Sequence, residues 1–295
     1  MRANGLSAAR VVGAAVAALA LAAVLPGASS GTPGKSLFDY DRSLPLDVSW
    51  GKTTTSSGVV RQSLTFAAAR STRVAALFVH PADDGPWPLV LWTPGRGGNR
   101  TEELPEAAAL ARNGVASLLV DPPAPEVVTC HPAEDLAIFV RYVIGRRRAV
   151  DLALTLPNVD GQRLAAAGFS FGASVTADLA GVEPRISAFA LKSGRAHHTG
   201  FMRLACAQLG EQRLDHYVER LAAVDPIHWI SRAASSSAFL IQDGTRDPWN
   251  PRRDVLALYA AAPGTKTLRF YPAGHELNAT ASANRRTWLL RQLRR

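Results

Sequence analysis

The chain has 295 residues, 47% hydrophobic and 19% charged, a globular composition that excludes a disordered or fibrous chain and suits one large domain or two small ones. Its formal net charge is +9, but the arginines are scattered outside Arg146-Arg147-Arg148 and the last turn from Arg291. Neither cluster accompanies a nucleic-acid motif, so both read as solvated helix surface and no nucleic-acid partner is expected.

Residues 1–30 read as a secretory signal peptide. Arg2 and Arg10 precede the uncharged run Val11 to Leu25, Pro26 and Gly27 end it, and Ala28-Ser29-Ser30 supplies small residues for cleavage. The expected location is therefore secreted or periplasmic, with membrane contact only through this segment during export. An uncleaved anchor is the alternative, although the apolar run is short for a bilayer span. Residues 31–57 form a turn-rich, extended lead-in.

From residue 58 onward the chain reads as one catalytic domain. Gly58 to Ala68 and Ser71 to Pro81 predict an antiparallel hairpin. Short apolar strands then alternate with helices: a strand at Trp87 to Pro94, a helix over Glu102 to Asn113, the strand GVASLLVDPP and a long helix from Glu134 to Leu156. A strand over Gln162 to Ser170 leads into the helix FGASVTADLAG. Two more strands, RISAFALKSG and SAFLIQDG, flank a polar, helix-prone insertion at 194–232 that reads as a small lid. A helix, the strand TKTLRFYPAG and a closing helix follow. Such alternation predicts an α/β fold: a mostly parallel central sheet, helices on both faces, and the hairpin as an antiparallel N-terminal margin.

Gly168-Phe169-Ser170-Phe171-Gly172 falls where a predicted strand passes into a helix. That placement is what a nucleophile elbow requires: a strained turn that lifts the serine hydroxyl above the sheet, flanked by residues without side chains. A tight turn with an incidental serine is the bland alternative. Serine needs a base, itself oriented by a carboxylate, and in this architecture they follow in the order Ser, Asp or Glu, His. Asp247, in the stretch LIQDGTRDPWNP and in a turn bounded by Pro248 and Pro251, and His275, in YPAGHELN after the last strand, meet that order. Asp243 is the competing carboxylate and reads as a turn-former. The glycine-rich loop Pro94 to Arg100 predicts an oxyanion hole, with the amide of Phe171 as one donor and that of Arg96 or Gly97 as the other. His197-His198 lacks a third ligand nearby and reads as a solvated loop rather than a metal site.

The succession PLVLWTPGRGG, GFSFG, DGTRDP and AGHEL resembles an α/β-hydrolase, most closely the exported bacterial branch of dienelactone hydrolases and acetylxylan-type esterases. The loop carries Pro94 where that family usually has histidine. The resemblance implies a serine hydrolase of carboxylic esters, catalysing through Ser170, Asp247 and His275 with no metal or organic cofactor. Its partner would be a small-molecule or polymer-attached ester. The same triad serves peptidases, thioesterases and acyltransferases, and a silent surface-binding module is the non-enzymatic alternative. In the lid, Phe201, Met202 and Leu204 are candidate pocket-lining residues, with ordinary packing of a helix onto the sheet as the equal alternative. Cys130 and Cys206 each follow a predicted parallel strand, so their loops leave the same sheet edge. A single disulfide is expected, with two unpaired buried thiols as the alternative.

Overall fold

The computed structural model describes residues 36–69, 72–124 and 127–294; the expected signal segment lies outside them. Among these residues one sheet of nine strands organises the chain. In chain order the strands are β1 (Ser49–Ser56), β2 (Val59–Ala69), β3 (Thr72–Pro81), β4 (Trp87–Thr93), β5 (Ala116–Val120), β6 (Val159–Phe169), β7 (Ala188–Lys192), β8 (Ala238–Gly244) and β9 (Thr265–Tyr271). The helices are α1 (Leu104–Ala111), α2 (Pro132–Ala153), α3 (Phe171–Ala180), α4 (His198–Ala205), α5 (Glu211–Leu221), α6 (Pro226–Ile230), α7 (Arg252–Ala261) and α8 (Ala279–Leu293).

The strand order is β1-β2-β3-β5-β4-β6-β7-β8-β9. β1, β2 and β3 pair antiparallel, β3 joins β5 antiparallel, and the pairs from β5 to β9 are all parallel. The α/β architecture with an antiparallel N-terminal margin is thus as the alternation predicts. β4, β5 and β8 are buried along their whole length, as their unbroken apolar runs require when helices cover both faces. Leu89 and Leu91 point to the larger core with α2 and α3, while Val90 and Trp92 point to the other, with α1 and α8. β1 falls within the stretch read as a lead-in; it is exposed throughout and pairs along β2.

After β4 the chain crosses through α1 to β5 on one side, whereas after β6 it crosses through α3 to β7 on the other. Neighbouring strands whose connections diverge open a crevice at their carboxyl ends, where ligands bind in open α/β sheets. The turn after β4 and the GFSFG turn after β6 both sit at this crevice.

The reading of Arg146-Arg147-Arg148 as solvated surface is corrected: all three are buried. Arg146 donates to Thr93 Oγ1 and to the carbonyls of Val120 and Asp121, each at 3.1 Å, so it caps the ends of β4 and β5. Arg147 donates to the Phe38 carbonyl at 2.9 Å and pairs with Glu183 at 3.5 Å. Arg148 donates to the carbonyls of Leu44 and Pro45 at 2.9 and 3.0 Å. The guanidinium fork has five donors, and here it gathers backbone carbonyls from separate segments onto α2. Together the last two arginines fasten the segment before β1 to α2.

Cys130, just before α2, and Cys206, just after α4, form the expected disulfide, with Cα atoms 5.6 Å apart. It ties the insertion at 194–232 to the main body. Among the described residues no helix is long and apolar enough to cross a membrane.

Candidate active site

The turn between β6 and α3 is strained. Ser170 has φ 53° and ψ −117°, a region that side-chain-bearing residues rarely occupy. Its amide still donates to the Lys192 carbonyl at 2.8 Å, so the turn continues the ladder to β7. Phe171 takes the first position of α3, where a backbone N–H has no acceptor within the helix.

Ser170 Oγ lies 2.7 Å from His275 Nε2, and His275 Nδ1 lies 2.7 Å from Asp247 Oδ2. The His275 carbonyl accepts from Ser193 Oγ at 2.6 Å, which anchors the loop after β9 to the end of β7. The other Asp247 oxygen accepts from the amides of Trp249 and Asn250 at 2.8 and 3.3 Å. Burial alone would raise the Asp247 pKa. The hydrogen bonds from His275 and these amides outweigh it and hold the carboxyl below its usual range. Asp247 is thus kept ionised and aimed at the imidazole.

Asp243, at the end of β8, accepts from the Gly244 amide at 2.7 Å and from Asn250 Nδ2 at 3.1 Å. It has no hydrogen bond to His275 and lies beside the Asp247 carboxyl. Burial pushes its pKa up to about 7; the Asn250 hydrogen bond opposes this and the Asp247 charge adds to it.

The loop after β4 is pressed against the elbow. Gly95 donates to Glu102 Oε2 at 2.7 Å, Gly98 closes a turn onto the Gly95 carbonyl at 3.0 Å, and Gly97 has φ +73°. The Arg96 guanidinium lies 4.9 Å from the Phe171 ring centre and 5.0 Å from that of Phe201.

Ser170 and His275 open onto a cavity of about 340 Å³. Phe139, Phe171, Phe201, Met202 and Trp249 give it apolar walls, while Ser174, Arg96, Arg195 and His198 give it polar ones. Phe201 and Met202 therefore face the cavity, whereas Leu204 is 77% exposed and points away. The reading of His198 as part of a solvated loop is also corrected. It is buried, its ring 4.3 Å from that of Phe139, and its Nε2 is 3.8 Å from the buried Asp178 carboxylate. Burial, followed by the Arg195 and Arg96 charges, drives its pKa well down, so the ring is neutral. His197 instead meets Asp225 at 3.1 Å. No cluster of metal-binding side chains occurs among the described residues.

Sequence reasoning missed Arg195, His198 and Trp249 as cavity residues. Arg195 follows Gly194 just past the carboxyl end of β7, a position that was itself a signal.

No curated protein sequence matches the chain. Among solved structures it is similar to acetyl xylan esterase 1 from a Thermoanaerobacterium species, with a TM-score of 0.75, 16% identity, and coverage of 87% of this chain and 91% of that one. It is similar too to an acetyl xylan esterase from a Paenibacillus species, with a TM-score of 0.70, 19% identity, and coverage of 83% and 89%. A dienelactone hydrolase-like promiscuous phosphotriesterase from metagenomic libraries follows at 0.59 and 18%, covering 81% of this chain and 98% of that one. At these identities the likeness establishes the α/β-hydrolase fold. The family model described as esterase FrsA-like matches residues 49–229, more than half of the chain, so the protein belongs to the FrsA-like esterases and is a carboxylic ester hydrolase.

Proposed function

We propose that the protein is an exported serine esterase working through an acyl-enzyme. The observation that carries this reading is the hydrogen-bonded chain Ser170–His275–Asp247, set at a strained strand-to-helix turn that opens onto a cavity. Ser170 Oγ attacks the ester carbonyl while His275 Nε2 takes its proton. Asp247 keeps the other imidazole proton on Nδ1 and balances the imidazolium charge. The amide of Phe171 and that of Arg96 or Gly97 stabilise the oxyanion. His275 then protonates the leaving alcohol. Water, deprotonated by the same imidazole, attacks the acyl-enzyme and releases the acid and free Ser170. These steps call for no metal or organic cofactor.

Export is supported by the apolar N-terminal run and by the Cys130–Cys206 disulfide, a bond favoured in oxidising compartments. Two of the structural neighbours are named acetyl xylan esterases, so polymer-attached acetyl esters and short free esters are the first substrates to try. The test is labelling with a fluorophosphonate probe, followed by a screen of esters, thioesters and peptides. Ser170 is expected to carry the label, and Ser170→Ala to lose both label and ester turnover. A folded Ser170→Ala protein with undiminished turnover removes the mechanism.

A further inference from the structure

Among the described residues, the cationic side chains Arg96 and Arg195 line the cavity that holds Ser170, and no aspartate or glutamate does. Arg195 is the more telling. Its guanidinium lies 5.4 Å from the Phe201 ring centre, on the same ring that Arg96 approaches at 5.0 Å. Its side chain makes no ion pair or hydrogen bond with any described residue; its only hydrogen bond is from the backbone amide to Ser174 Oγ. The carboxylate that most favours its charge, Asp254, is engaged by the backbone amides of Ala196 and His197. Burial pulls the Arg195 pKa down, Asp254 partly offsets this, and the Arg96 charge lowers it further. Arginine does not lose its proton at neutral pH. Asp247 and Asp243 also favour the Arg195 charge, but no carboxylate is among the described lining residues, so the guanidinium fork, whose geometry matches a carboxylate, faces the cavity.

We propose that Arg195 is the centre of an anion subsite, and that the preferred substrate is an ester bearing a free carboxylate elsewhere in the same molecule. The inference rests on Ser170 being the nucleophile, since it takes the cavity beside that residue as the substrate site. The carboxylate lies against Arg195, the apolar chain between it and the ester packs on Phe201 and Met202, and the scissile carbonyl reaches Ser170. Arg96, beside the same aromatic rings, adds to the positive potential. A role in stabilising the oxyanion is the rival, and it differs in one respect: it would serve charged and neutral esters alike.

Two substrate pairs, followed by pH-stat on the full-length protein, distinguish these. Mono-ethyl glutarate against ethyl pentanoate places the charge on the acyl side; 4-acetoxybutyrate against butyl acetate places it on the alcohol side. The expected result is a preference in kcat/KM for the anionic member of at least one pair, on the order of 10–100-fold, the span of a hydrogen bond to a charged group. It should weaken as salt is added, collapse in Arg195→Gln, and survive in part in Arg195→Lys. No preference in either pair overturns the proposal, as does an Arg195→Gln protein that slows both members of a pair equally. If that variant does not fold, the wild-type comparison decides alone. Fluorophosphonate labelling separates the two levels: labelled Ser170 with no charge preference removes only the subsite, whereas unlabelled Ser170 removes the functional reading and the subsite with it.

Discussion

Gly168 and Gly172 meet across the Ser170 turn so closely that a Cβ on Gly168 would fall 2.3 Å from the Gly172 carbonyl oxygen. A Cβ on Gly172 would in turn fall 2.2 Å from the Pro94 carbonyl oxygen and 2.3 Å from that of Thr93. All of these are backbone atoms, which cannot swing aside as a side-chain tip can. The two glycines thus let β6, α3 and the loop after β4 approach at one point, next to Ser170. Gly172→Ala is expected to lower stability by about 1–3 kcal/mol, the usual cost of overpacking. It should also reduce kcat/KM at least tenfold, because the loop must retreat from Ser170. Denaturant unfolding and ester hydrolysis measure both, and wild-type values for each would contradict this close packing.

Asp247 and Asp243 lie side by side, but only Asp247 is hydrogen-bonded to His275. Asp247→Asn should cost about 10⁴-fold in kcat by analogy with the same change in a serine protease triad, since the amide favours the wrong imidazole tautomer. Asp243→Asn should cost far less, because Asp243 meets the Gly244 amide, Asn250 and Asp247 but makes no hydrogen bond to His275. Steady-state rates of the two purified variants decide between them; the reverse ranking would move the acid role to Asp243.

Much of this was legible in the sequence because the relevant signals are local. The apolar runs of β4, β5 and β8 announce strands buried on both faces. The spacing of Gly168, Ser170 and Gly172 encodes a steric requirement that only a strand-to-helix turn meets. Asp247 and His275 could be placed because each follows a predicted parallel strand, and parallel strands deliver their loops to one edge. The buried arginines were not legible. Their partners include backbone carbonyls of Phe38, Leu44, Val120 and Asp121, far along the chain, and the letters around Arg146 carry no trace of them. His198 failed for the same reason: a polar neighbourhood in sequence became the covered wall of a cavity once α4 packed against Phe139. Leu204 shows the converse, an apolar residue on the outer face of a short helix.

Cys130 and Cys206 close a loop of 76 residues in sequence separation. In the chain-entropy model such a cross-link stabilises by about 4 kcal/mol, less any native strain. It also joins α4, which carries Phe201 and Met202, to the start of α2, which carries Phe139. Changing both cysteines to serine should therefore lower unfolding stability by a few kcal/mol, with the cavity loosening before the sheet. The expected order is rising exchange of amide protons across 198–206 at denaturant concentrations where β4 and β6 remain protected. Mass spectrometry of alkylated, unreduced wild-type protein should find neither cysteine labelled; two labelled cysteines on the native chain exclude the bridge.

The Asp243 carboxyl gives the protein a pH signature of defined sign. Burial pushes its pKa up to about 7, against a reference of 3.8. Between those values the folded protein binds more protons than the unfolded chain, so the stabilisation from Asp243 is fully present below about pH 4. It declines as pH rises toward about 7 and is flat beyond. Asp247 has the opposite sign: its folded pKa is held below the ordinary value, so its contribution is present above that value and lost as pH falls through the folded pKa. Asparagine at position 243 keeps the shape but cannot ionise. The difference in unfolding free energy between Asp243→Asn and wild type should accordingly shift in the variant's favour from pH 4 to pH 7. The shift is on the order of 4 kcal/mol at most, and smaller to the extent that Asp247 shares the proton. Denaturant unfolding of both proteins at several pH values across this window measures it. A difference that stays constant would show that Asp243 is ionised throughout, leaving two adjacent charged carboxylates behind His275.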